Sequence, residues 1–152
     1  MAMTALEARQ QILDDLAAAN DQLGLSLACL GEAFEQLDVM GAERLEDELY
    51  RPVQRAYGRG KRTHAQFAER VGLQRDVFDP PDAGRASQGA RAFVERATQA
   101  AAEADRRLAD LQDSMLPIEA GDGELRAGLS EVRGLLADLP TVSARFLSTL
   151  GR

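Results

Sequence analysis

A chain of 152 residues that is 45% hydrophobic and 28% charged has the length of one folded domain and is too apolar to remain disordered. Aromatic residues make up only 5%, Trp is absent, and Leu and Ala supply most of the apolar content, a balance that favours helix over strand. The net charge of −7 argues against nucleic-acid binding by the surface as a whole, and the lone Cys29 excludes an internal disulfide and a Cys-rich zinc site.

The segment from Thr4 to Asp38 carries apolar residues in a 4–3 rhythm: Leu6, Leu13, Leu16, Leu23, Leu27, Leu30, Phe34 and Leu37. Arg9 and Asn20 are the breaks in that seam, and Gly41 ends it. Such a stripe is the mark of a long amphipathic helix. A second helix is expected from Ala42 to Val71, with Pro52 inside it. Proline removes a backbone donor and crowds the preceding turn, so the helix is expected to kink there or break. Beyond Pro52 the residues Val53, Tyr57, Gly60, His64, Phe67 and Val71 mark one inner face, and Gly72 is placed to end the helix.

Residues Leu73 to Gly84, with Asp79-Pro80-Pro81-Asp82, read as a connection whose Val77 and Phe78 tuck under the bundle end. The third helix is expected from Arg85 to Met115, facing inward through Ala90, Phe93, Ala97, Ala101, Ala104, Leu108, Leu111 and Met115. Its alanine-rich middle lets a neighbour approach closely. Asp122 is placed to cap a fourth helix bearing Leu125, Leu129, Val132, Leu136 and Leu139, which Pro140 kinks or breaks. Val142, Phe146, Leu147 and Leu150 extend its apolar character. Four amphipathic helices with short connections define the expected fold: an all-α, antiparallel up-down-up-down four-helix bundle, one domain over residues 1–152.

Charge is segregated along the chain. Residues 1–50 hold 11 acidic and 2 basic side chains, residues 51–75 hold 1 and 7, and residues 76–152 hold 13 and 9. At 100° per residue, Arg51, Arg55, Arg59, Arg62 and Arg70 fall within an arc of roughly 100°, opposite the apolar face of the second helix. The plainest reading is a set of surface ion pairs with the acidic first helix, each worth roughly 0–1 kcal/mol. The functional reading is a binding stripe for an acidic protein, an anion or, locally, nucleic acid, since arginine grips carboxylate and phosphate in bidentate fashion. Gly58 and Gly60 each cost this helix roughly 1 kcal/mol relative to alanine. Close helix packing explains Gly60 on the core face, whereas Gly58 suggests local flexibility or approach by a partner.

Asn20, Tyr57 and His64 form an expected polar cluster in the core. If the chain turns near Gly41, Asn20 lies opposite position 62, within about a turn of His64, and the two side chains are expected to hydrogen-bond and fix the helix register. No catalytic or metal set follows from the residues. A single histidine cannot supply a di-iron bundle, and Lys61 stands where that motif needs a glutamate. The carboxylate pairs Glu32/Glu35 and Asp110/Asp113 fall outside the apolar stripes. Gly58-Arg59-Gly60-Lys61 lacks the spacing of a phosphate loop. No apolar run approaches the roughly 20 residues that span a bilayer, and the N-terminus has no signal-peptide pattern. The expectation is a cytoplasmic, cofactor-free, non-enzymatic protein that works through protein–protein contacts, as a homodimer or with another partner. An anionic ligand or nucleic acid at the stripe, and a small molecule in the core, are the alternatives.

Overall fold

The computed structural model describes residues 3–150, and among these residues there is helix but no strand. Helix α1 spans Ala5–Glu35. Its N-cap is Thr4, whose hydroxyl accepts the Glu7 amide at 3.0 Å. The helix stops short of the expected Asp38 because that carboxylate caps the next one, accepting the Gly41 amide at 2.8 Å. Helix α2 therefore begins early, at Val39, and spans Val39–Leu45.

Pro52 does not interrupt the chain's helical course. A π-helical turn, Glu46–Tyr50, links α2 to helix α3, Arg51–Val71. The Arg51 amide reaches back five residues to the Glu46 carbonyl. Pro52 then falls in the first turn of α3, and the widened turn before it accommodates the proline. Gly72 closes α3 in the left-handed conformation (φ 73°) that a C-terminal cap favours.

After the connection and a 3₁₀ turn at Ala86–Gln88, helix α4 spans Ala90–Asp113, starting five residues later than the expected Arg85. Gly89, at φ 86°, turns the chain into it. The short α5, Leu116–Glu119, follows Met115, which adopts a left-handed φ of 68°. Helix α6 spans Gly123–Leu136, and its Asp122 cap accepts the Leu125 amide at 2.8 Å. The fourth apolar stretch is then divided: the chain turns at Ala137–Asp138, and α7 spans Leu139–Thr149 with Pro140 in its first turn.

Helix α1 packs chiefly on α4 and also on α3, while α3 packs on α6. This central place explains why α1 is buried over a wider face than its leucine stripe. Ile12, Ala19, Cys29 and Ala33 are buried beside Leu13, Leu16, Leu23 and Leu30. Leu6 and Phe34, although on the stripe, are exposed, whereas Leu37 beyond Phe34 packs against the core. Against α4, small side chains set the approach: Ala97, Ala101 and Ala104 are buried, and the Ser26 hydroxyl donates to the Ala97 carbonyl at 2.8 Å. Met115, expected inside, is exposed at the α4 terminus.

Glycine sets the spacing on both sides of α3. A Cβ on Gly60 would lie 2.1 Å from Asn20 Oδ1, and one on Gly128 would lie 2.3 Å from Thr63 Oγ1. Asn20 meets Gly60 and Gly24 meets Tyr57. On the other side, Arg59 meets Glu131, Thr63 meets Gly128, and Arg70 meets Asp122.

Candidate functional site

The arginine row is divided by its partners. Arg51 pairs with Asp47, four residues back in the π-helical turn, at 3.1 Å. Arg59 pairs with Glu131 and also donates to the Thr63 hydroxyl at 3.2 Å. Arg70 grips Asp122 with both arms, at 2.7 and 2.9 Å, and reaches Glu124 at 2.9 Å. That bidentate contact holds the Asp122 carboxyl below its usual range, aided by the Leu125 amide. The carboxylates facing Arg59 and Arg70 thus come from the α6 end and not from acidic α1. The reason is geometric: the α3 face turned to α1 is the apolar one, so the arginine side meets α6 and solvent.

Arg55 and Arg62 remain exposed on the outer face of α3, with Gly58 between them. A Cβ at Gly58 would meet nothing within 4 Å, so no packing inside the chain requires glycine there. We expect Gly58→Ala to raise the unfolding free energy by about 1 kcal/mol through helix propensity alone. Urea denaturation measures this, and an unchanged midpoint would mean that the glycine is not a defect of α3.

The interior cluster assembles differently from the sequence expectation. Asn20 and His64 are both buried, yet neither hydrogen-bonds the other: the two amide atoms and the two ring nitrogens lack hydrogen-bond partners. The α1–α3 contact is set two residues from the expected register, so Asn20 sits over Gly60, one turn before His64 on α3. His64 instead faces the connection. Its Nε2 lies 3.4 Å from Asp76 Oδ2, at ion-pair distance without hydrogen-bond geometry, and its ring meets Phe78 edge-on at 5.2 Å. Phe78 does tuck against the core, while Val77 points out at 85% exposure.

Burial pushes the His64 pKa below its ordinary value. Asp76, the Leu13 carbonyl and Asp14 pull the other way without overcoming it. Tyr57 is buried against Gly24, with the Lys61 ammonium 4.3 Å from its ring centroid. Burial, Asp21 and Asp79 raise its phenol pKa. Cys29 is buried and its thiol is likewise pushed up by burial, the opposite of an activated nucleophile.

Sequence reasoning missed a third feature, at the corner where α1 ends and α2 begins. Val39 and Met40 are each 75% exposed and Phe34 is 37% exposed. Beside them lies a groove of about 360 Å³ lined by Leu37, Met40, Gly41, Arg44, Phe146 and Leu150, among others. The available signal was positional. Val39 and Met40 stand just past a capping aspartate and outside the α1 stripe, so nothing in the helical periodicity assigns them a covered face.

Among the described residues no group of three or more His, Cys, Asp or Glu side chains is placed to hold a metal ion, and no helix is long and apolar enough to cross a membrane. No protein-family model, no curated protein and no solved structure matches the chain.

Proposed function

We propose that this chain is an antiparallel up-down-up-down four-helix bundle that acts without catalysis, by docking to other protein surfaces in the cytoplasm, with a homodimer as its simplest form. In this reading α2 and α3 together make the second helix, and α6 and α7 make the fourth. The opposite-running pairs across α1, α3 and α6 support the antiparallel arrangement. The observation that carries the docking reading is the exposed apolar corner of Phe34, Val39 and Met40, because exposed apolar clusters on soluble domains tend to mark contact surfaces.

The alternative of an anion or nucleic acid at the arginine stripe has less support. Arg51, Arg59 and Arg70 already hold carboxylates, which leaves Arg55 and Arg62 as the exposed remainder. A small molecule in the core rests on the unpartnered Asn20 and His64 alone. The test of the docking reading is size-exclusion chromatography with light scattering, alongside affinity capture. Self-association at high concentration and low salt, or recovery of a defined partner, is the expected result. A strict monomer with no partner recovered would overturn it.

A further inference from the structure

Resting on the docking reading, we propose that the groove between the α1–α2 corner and the end of α7 receives a basic amphipathic helix from a different protein. Three features of the groove select this occupant. Its apolar surface comes from Leu37, Met40 and Leu150 beside the buried Phe146, with Val39 standing exposed next to it. Apolar grooves between helices are natural seats for the apolar face of another helix, and methionine adapts its shape to such a partner.

The second feature is charge. Asp38 lines the groove, and Glu32, Glu35 and Glu43 lie on the flanking turns of α1 and α2. Among the described residues, the bases at this end are largely engaged. Arg44 is held by Glu48 at 3.1 Å and by the Thr149 hydroxyl at 2.9 Å, with its guanidinium 5.3 Å from the Phe146 ring centroid. Arg91 donates to the Leu147 carbonyl at 2.7 Å and faces Glu95. Arg145 is exposed on α7. The rim therefore favours a cationic visitor and disfavours an acidic one.

The third feature separates a foreign helix from a second copy. The basic helix of this chain is α3, and its apolar residues Val53, Tyr57 and Phe67 are already buried in its own core. Its outer face offers arginines without apolar neighbours, so the α3 of a second copy does not present the combined basic and apolar face that this groove selects.

The probe is a synthetic Leu/Lys amphipathic helix of about 14 residues, roughly four turns, labelled for fluorescence anisotropy. Two control peptides accompany it, one with Glu for Lys and one with Ser for Leu. We expect saturable binding of the Leu/Lys peptide only. The double substitution Val39→Ser with Met40→Ser leaves the charge unchanged and removes exposed side chains that the core does not use. It should weaken binding by at least about tenfold, because it removes apolar area that the complex would bury. Amide shifts on titration should fall on Leu37–Arg44 and Phe146–Leu150. No binding, equal binding by the Ser peptide, or indifference to the double substitution would overturn the proposal. A chain that dimerises but ignores the Leu/Lys peptide would defeat this inference while leaving the docking reading intact.

Discussion

Gly128→Ala is expected to lower the unfolding free energy by about 2 kcal/mol, although the same substitution would ordinarily strengthen a helix. Glycine inside a helix costs roughly 1 kcal/mol relative to alanine, so the gain from propensity is real. What opposes it is Thr63 across the α3–α6 contact. The new Cβ would lie 2.3 Å from Thr63 Oγ1, 2.7 Å from Cγ2 and 3.0 Å from Cβ. Rotating Thr63 exchanges its two branches without moving Cβ, so no rotamer clears the contact. Thr63 is buried and its hydroxyl also accepts from Arg59, which is tied to Glu131 on α6. The helices would have to separate where ion pairs hold them, and overpacking of this kind costs roughly 1–3 kcal/mol or more.

The partner substitution makes the argument specific. Thr63→Ala removes the two nearest atoms and keeps the backbone, so the double variant should recover most of the loss. Equilibrium denaturation of the parent, both single variants and the double variant gives the coupling directly. If Gly128→Ala is as stable as the parent, or if Thr63→Ala does nothing for it, the close approach of α3 and α6 is not what glycine serves here.

How much of this was legible depends on which neighbour decides each residue's fate. Helix class was legible because leucine and alanine recur at helical spacing, and that pattern depends only on the chain itself. The place where α1 meets α3 was nearly legible too. A turn near Gly41 places Asn20 opposite position 62, and the structure places it at Gly60. Two residues of slip were enough to separate Asn20 from His64, because a hydrogen bond tolerates far less error than a helix contact.

The arginine partners were not legible. Periodicity located the row opposite the α3 core face, but only the order of packing determines that α6, and not α1, brings Glu131 and Asp122 to it. The outcome at Pro52 was similarly hidden, since a widened π turn before the proline is a local rearrangement that no residue pattern marked. The exposed corner was lost for a related reason. Phe34 belongs to the stripe of α1 yet stands exposed while Leu37 beyond it packs on the core, and periodicity marks a stripe without saying which of its members a neighbour covers.

Acidification should destabilise this protein below pH 6.5 through one buried residue. His64 is fully enclosed and its folded-state pKa lies below the ordinary 6.5, with burial as the largest cause. The unfolded chain therefore binds the proton more readily than the folded one. The His64 contribution to stability is complete above pH 6.5 and is lost as pH falls from there towards the folded-state pKa, at up to about 1.36 kcal/mol per pH unit. Asp76 from the connection and Asp14 from α1 narrow that window by favouring the imidazolium, but the burial effect exceeds them. Asp21 acts in the opposite sense at lower pH: burial and Asp76 raise its carboxyl pKa, so protonation there favours the folded state. The signature of His64 is accordingly a fall in urea midpoint between pH 6.5 and about 5, above the ordinary carboxylate range. His64→Gln should flatten that interval while keeping a polar side chain of similar reach beneath Phe78, and His64→Leu should flatten it without leaving an unpaired polar atom. A parent profile that is level across this interval, or a slope that survives both substitutions, would show that the buried imidazole does not set the acid limit of the fold.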